Sequence, residues 1–234
     1  NGSSVRYSIS HFLHLCAMST LAVVAIWSPL AHAGCSRIIQ VPILPSGLTV
    51  MTKGAGYAGI VPEFLAQVAA KSGCKFSYQL VPKSRQENLF ENGQADLLLT
   101  AVKTNRRDLS GIFVPMVQLR ATLISIENGQ AAINSSKELL QKSPIKLLVV
   151  RGFDYGTVYQ SLVDEMQQQG RLLVEADTIS VARVMRSNPN YVTIMAPTIF
   201  AGMLQTEAKL SELVGKIRYE KLDDFPWAEI GIYI

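Results

Sequence analysis

Asp96-Leu97-Leu98-Leu99-Thr100-Ala101-Val102 decides the fold class. Three consecutive leucines leave no side for water, so this run predicts a strand covered on both faces, as in a parallel sheet under helices. Upstream, residues 75–81 alternate, with Phe76, Tyr78 and Leu80 on one side and Ser77 and Gln79 on the other. That pattern predicts a strand with one buried face. Between the two, Ser84 and Glu87 have capping-box spacing for a short helix that ends before Gly93. Further out, Val61-Pro62-Glu63 opens a helix with Phe64, Leu65, Val68 and Ala69 on one face, and Gly73 stops it. Residues 53–59 read as a Gly-rich loop. Residues 38–44 read as a first strand, although Pro42 cannot donate to a ladder. Residues 38–102 therefore predict strand, helix, strand, helix, strand, the signature of a parallel α/β unit.

The order recurs downstream. Residues 145–150 predict a buried strand, and 157–169 a helix with Val158, Leu162 and Met166 on one stripe. Residues 172–175 predict a strand, 179–187 a helix, and 191–195 a strand after the Asn188-Pro189-Asn190 turn. Pro197 starts another helix. An extended segment, residues 118–127, joins the two units and ends in an Asn128-Gly129 turn, and residues 230–234 run back toward the first unit. The expected architecture is α/β, two lobes of βαβαβ type joined by hinge strands. Lobe 1 is placed at residues 34–117, lobe 2 with the hinge at 118–229, and the start of the return at 230–234. The chain opens on Asn1 and stops inside an apolar run, so a further segment is expected beyond residue 234.

The 234 residues are 48% hydrophobic and 17% charged, which suits a globular chain and not a disordered one. Arg6 supplies an early positive charge, residues 15–27 are mainly apolar, and Ala31-His32-Ala33 has the form of a signal-peptidase site. Residues 1–33 are expected to be an export signal, which places the protein in the periplasm. The signal takes all three histidines and Cys16 with it. A mature chain without histidine has no Ser-His-Asp or Cys-His nucleophile system and no histidine metal ligand. No cofactor or metal signature is present. Beyond residue 33 there are 21 basic and 18 acidic residues, a net +3, with no basic cluster longer than Arg106-Arg107. Nucleic-acid binding is not expected.

The two remaining cysteines, Cys35 and Cys74, predict a disulfide in an exported protein. Each stands just before a predicted strand, and parallel neighbouring strands would bring them about 5 Å apart. Ala33-Gly34-Cys35 also resembles the end of a lipoprotein box, though His32 stands where Leu is usual. Lipid anchoring at Cys35 is the less favoured alternative.

In open parallel sheets ligands bind beyond the carboxyl ends of the strands, so the loops there hold the candidate site residues. In Thr104-Asn105-Arg106-Arg107 a guanidinium pointing inward would clamp a carboxylate with two hydrogen bonds; pointing outward it is a solvated charge. Arg151-Gly152-Phe153-Asp154-Tyr155-Gly156 joins a strand to a helix whose first amides could receive an anion, or it is an ordinary tight turn. It is not a P-loop, because the Lys-Ser/Thr ending is absent. Arg85 is a cleft residue or a helix-surface charge, and Tyr57 an aromatic wall or a surface ring.

Gly59 before an acidic helix start, Gly93-Gln94-Ala95-Asp96-Leu97, Thr104-x-x-Arg107 and Phe113-Val114-Pro115, in this order behind an export signal, resemble the family 3 extracellular solute-binding proteins. These are type II periplasmic binding proteins, best known for serving amino-acid ABC importers. The resemblance covers residues 36–234, and Arg-Gly-x-x-Tyr-Gly at 151–156 is similar to a proteobacterial branch. It implies a periplasmic binding protein-like II fold, a solute held between lobes that close by hinge bending, a membrane permease as partner, and a monomer. It implies that Arg107 binds a carboxylate and that Thr100 and Ala101 line the cleft. It also implies C-terminal helices that return to the first lobe. Two departures stand out. The stretch 96–107 is one residue short, with Val102 or Lys103 where a hydroxyl is usual. Ala196 stands where amino-acid binders carry the aspartate that pairs with the ammonium. A buried ammonium without a carboxylate is costly, so a small anionic or carboxylate-bearing solute is expected, with Arg85, Arg107 and Arg151 facing it.

Two other classes use the same scaffold. An enzyme of dehydratase or cell-wall-hydrolase type would need an acid such as Glu63 to act without histidine, whereas Glu63 is more simply a first-turn helix acid. A sensory input module would carry a signalling segment after residue 234.

Overall fold

The computed structural model describes residues 34–234. The export-signal reading falls on residues 1–33 and lies outside the described residues. In chain order the first elements are β1 (Ile39–Ile43), β2 (Met51–Lys53), β3 (Gly56–Ala58), α1 (Ile60–Ser72), β4 (Phe76–Leu80), α2 (Lys83–Glu91), β5 (Leu98–Val102), α3 (Asn105–Asp108) and β6 (Phe113–Leu119). β1 and β4 pair in parallel from Ile39–Phe76 to Ile43–Leu80. β5 runs beside β1, where Asp96 N–H donates to Gln40 O at 3.0 Å and the Asp96 carboxylate accepts Gln40 N–H at 2.7 Å. α1 ends as expected: Gly73 takes the left-handed conformation at φ 72° and returns its N–H to Ala69 O.

Two local expectations are corrected. Residues 53–59 are not a plain loop, because Thr52 pairs with Tyr57 to make β2 and β3 a hairpin. The Ser84–Glu87 capping box does not form. Pro82 occupies the N-cap and no side chain caps α2, so the helix starts one residue before Ser84, and Glu87 turns into the interior. Its carboxylate finds a guanidinium there, a stronger partner than a helix amide.

The second lobe contains β7 (Thr122–Ile126), α4 (Ser136–Gln141), β8 (Lys146–Val150), α5 (Thr157–Gln168), β9 (Leu172–Glu175), α6 (Thr178–Ser187), β10 (Tyr191–Met195), α7 (Pro197–Thr206), a 3-10 turn (Ala208–Leu213) and β11 (Ile217–Glu220). Its sheet has the order β11-β7-β10-β8-β9, with β8 parallel to β9 and β10, and β7 antiparallel to β10 and β11. Leu123, Ile124, Leu147, Leu148 and Phe200 are fully buried in its core, which explains why these strands read as continuous apolar runs.

β12 (Ala228–Tyr233) then returns to the first lobe and inserts between β5 and β6, antiparallel to both. The chain thus crosses between lobes twice, at residues 119–122 and 220–228. Arg120 ties the crossings together, its Nη2 donating to Asp223 O at 3.0 Å.

Cys35 and Cys74 form a disulfide with Cα atoms 4.9 Å apart, at the entry of the paired strands β1 and β4. The Cys35 sulfur is therefore not free for a thioether lipid. No helix among the described residues is long and apolar enough to cross a membrane.

The lobes touch backbone to backbone at two places. A Cβ on Gly202 of α7 would stand 2.5 Å from Leu48 N and 2.9 Å from Gly47 Cα. A Cβ on Gly152 would stand 2.7 Å from Ser84 N, so the 151–156 loop rests on the start of α2.

Candidate functional site

Between these contacts lies a cleft of about 340 Å³ lined by both lobes. Most of its wall is apolar: Ile43, Phe64 and Leu99 come from the first lobe, and Phe153, Tyr155 and Ile199 from the second. This volume sits at the small end of the roughly 300–1,000 Å³ typical of small-molecule sites.

The charges of the first-lobe wall converge from α2 and α3. Arg107, Glu87 and Lys83 are only 4%, 5% and 6% exposed. The Arg107 guanidinium donates through Nε to Glu87 Oε2 at 3.1 Å, through Nη2 to Glu87 Oε1 at 2.7 Å, and through Nη1 to Val102 O at 2.7 Å. This is the fork-to-fork geometry that makes arginine–carboxylate pairs strong. Lys83 Nζ donates to Leu99 O at 3.2 Å and stands 3.8 Å from Glu87 Oε1. Burial pushes the Lys83 ammonium down to about 8; Glu87 opposes that shift and Arg107 adds to it. Two cations and one carboxylate leave a net positive charge at this wall.

β12 holds the wall in place. Tyr233 donates its hydroxyl to Asp108 Oδ1 at 2.7 Å and accepts Thr104 N–H at 3.1 Å, fixing α3. Burial first, then its bond to Asp108, raises the Tyr233 hydroxyl to about 12. The β5–β12 ladder shifts register between Gly231 and Tyr233, so Leu99 and Thr100 together face Ile232. Thr100 sits in this bulge at φ 48°, an uncommon conformation for a β-branched residue, and lines the cleft.

On the second-lobe side, Asp154 Oδ1 accepts Gly156 N–H at 2.8 Å. The loop's own carboxylate thus holds the N-cap amide, while no side chain caps the first amides of α5. Tyr155 accepts Ala196 N–H at 3.3 Å and packs edge-on against Phe153 and Tyr159. Burial raises the hydroxyls of both Tyr155 and Tyr159.

Of the residues selected from sequence, Arg107, Thr100 and Tyr155 line the cleft. Thr104 instead caps α3, accepting Arg107 N–H at 3.3 Å, and Ala101 is buried in β5. Gly152 forms the lobe contact described above. Arg85 and Arg151 are exposed and are not among the cleft-lining residues, because Arg85 lies on the outer face of α2. Tyr57 packs against Tyr78 at 5.7 Å between ring centroids, away from the cleft. Glu63 is exposed and also outside it. Sequence reasoning did not select Lys83, Glu87, Gln86 or Asp154. Nothing local in the sequence marks a lysine at position 83 for burial. Among the described residues no group of histidine, cysteine and acids could hold a metal ion.

Two α/β lobes, two crossings and a lined cleft define the fold of the type II periplasmic binding proteins. No family model matches the sequence, and no curated protein does. Solved structures match across most of the chain. An ancestral arginine-binding protein bound to arginine has a TM-score of 0.67 at 12% identity, covering 84% of this chain and 83% of that one. A binding component of an ABC transporter from Wolinella succinogenes, complexed with lysine, has a TM-score of 0.67 at 14% identity, covering 86% and 83%. An ancestral amino-acid-binding protein, a precursor of cyclohexadienyl dehydratase, has a TM-score of 0.63 at 16% identity, covering 84% and 81%. At these identities the likeness establishes the fold.

Proposed function

We propose that the protein is a non-catalytic, exported receptor that captures a small anionic or carboxylate-bearing solute between its lobes. It acts as a monomer and delivers the solute to an ABC-type membrane importer. The observation that carries this reading is the net positive wall formed by Lys83, Glu87 and Arg107 in a cleft lined by both lobes. The similar structures support binding as the role of such a cleft, because they were solved with arginine or lysine in place. A basic side chain has less to recommend it here, since among the described residues Asp154 is the one acid lining the cleft and one of its oxygens already accepts Gly156 N–H.

A solute that binds only the folded protein raises its stability by mass action, about 2.7 kcal/mol at a hundredfold excess over Kd. Thermal unfolding of the exported protein with amino acids, organic acids and inorganic anions is the test. Stabilisation by at least one acid is expected; none across the whole panel would refute the receptor role.

A further inference from the structure

Arg107 is the residue expected to hold the solute's carboxylate, yet three of its five N–H donors are already used: two on Glu87 and one on Val102 O. The start of α5 offers no second anion acceptor at the cleft, because neither Gly156 nor Thr157 is among the residues that line it. On the α2 side of the cleft stand Lys83, with a single hydrogen bond to Leu99 O, and beside it Gln86, which is 3% exposed. Among the described residues the Gln86 carboxamide has no hydrogen-bond partner. Both line the cleft, and so do Ile60, Phe64, Val117 and Ile199.

Within the receptor reading just given, we infer that the solute is a monoanion with an apolar body. Its acid group is held by Lys83 and Gln86, and its hydrocarbon part lies against Phe64 and Ile199. Arg107 is a positioning residue. It fixes Glu87, and Glu87 keeps the ammonium near the cleft wall. A buried cation whose one hydrogen bond is to a carbonyl, and whose nearest carboxylate is already shared with Arg107, gains from an anionic ligand, because the ligand replaces the water that burial removed. Among the described residues the wall around it offers a second polar group one acid, Asp154, whose charge is offset by the Gly156 amide and the start of α5, and otherwise only neutral partners such as Gln118 and Thr198. An α-amino acid would have to place its ammonium on that partly used carboxylate or on neutral acceptors alone. A carboxylate without an amine avoids the cost.

The experiment is titration calorimetry of the exported protein with butanoate, hexanoate, hexylamine, hexanol, L-norleucine, L-arginine and L-lysine, beside Lys83→Met. Hexanoate should bind, more tightly than butanoate by about fourfold per methylene, while hexylamine and hexanol should not. Lys83→Met, which keeps the apolar stem, should cost hexanoate at least tenfold and leave the thermal midpoint unchanged or higher. If that variant fails to fold, the wild-type affinity for hexanoate between pH 7 and 10 decides instead. It should fall as Lys83 loses its proton beside Glu87 and Arg107, with Asp154 and Tyr155 facing it across the cleft.

Tighter binding of L-norleucine than hexanoate, binding of arginine or lysine in place of hexanoate, or a pH-independent affinity would overturn the assignment and leave the receptor role standing. Silence from all seven compounds would overturn it too. The broader solute panel above then determines whether the receptor role falls with it.

Discussion

Glu87 and Arg107, twenty residues apart in sequence, meet in a two-point ion pair at 2.7 and 3.1 Å, with side chains only 7% and 5% exposed. The pair joins α2 to α3 behind the cleft and keeps a second cation, Lys83, within 3.8 Å of the same carboxylate.

Removing the carboxylate leaves two buried cations facing each other. Glu87→Gln should therefore cost about 3–5 kcal/mol, the range for breaking a buried ion pair from one side. Replacing both partners, Glu87→Leu with Arg107→Met, should recover most of that loss. Urea unfolding of the wild type and the two variants checks both statements. A cost below about 1 kcal/mol for Glu87→Gln, the range of exposed pairs, would show that the pair is solvated.

The Cys35–Cys74 bridge closes a loop with a sequence separation of 39. In the chain-entropy model such a loop contributes about 4 kcal/mol. Cys35→Ser with Cys74→Ser should lower the urea midpoint accordingly without altering the folded circular dichroism spectrum. An unchanged midpoint in oxidised wild type and double variant would contradict it.

Gly202 lies inside α7 at the lobe contact, 2.5 Å from Leu48 N once a Cβ is added. Gly202→Ala improves helix propensity by about 1 kcal/mol yet drives a methyl between the lobes. The variant should populate a more open form, with a larger radius of gyration in solution scattering and weaker solute binding. Identical scattering curves would mean that the contact yields without separating the lobes.

Thr100 holds φ 48° in the β5 bulge. Backbone strain of this kind costs about 1–3 kcal/mol, and glycine adopts the conformation freely but loses more entropy on folding. Thr100→Gly should stabilise by about 1 kcal/mol, seen as a rise of a few degrees in Tm. A fall in Tm would indicate that the threonine side chain contributes more than its backbone costs.

The Lys83 ammonium, pushed down to about 8, holds its proton less tightly folded than unfolded. Between pH 8 and about 9.5 the unfolded chain binds more protons at this site, so the ligand-free protein should gain stability with rising pH. The slope is at most about 1.4 kcal/mol per pH unit. Residues 34–234 contain no histidine and their two cysteines are bridged, which leaves the window clear. Above about pH 10 the trend should reverse, because burial raises the Tyr155 and Tyr159 hydroxyls and only the unfolded chain releases those protons readily. Lys83→Met should flatten the lower part of the curve. Denaturant midpoints measured at half-unit steps provide the check.

The alternation of strands and helices was legible in the sequence because it depends on neighbours a few positions apart. The apolar run at 97–99, the alternation at 75–81 and the stop at Gly73 each act within one or two turns of chain. The disulfide was legible too, since two cysteines at the entry of adjacent parallel strands have little choice. The hairpin of β2 and β3 was missed because glycines at 54, 56 and 59 weaken any strand signal.

The chemistry of the cleft was decided elsewhere. Glu87 has the spacing of a helix cap, and Arg107 that of a free anion clamp, until the fold places them face to face out of water. Desolvation then makes their pairing far stronger than either local role, and it passes the ligand-facing position to Lys83. Arg85 and Arg151 point outward because helix phase and the lobe contact at Gly152 set their direction. The sequence alone determined which elements form and in what order. Only their packing determined which charge is neutralised and which stays open to a solute, because the strength of a charge depends on what surrounds it in space.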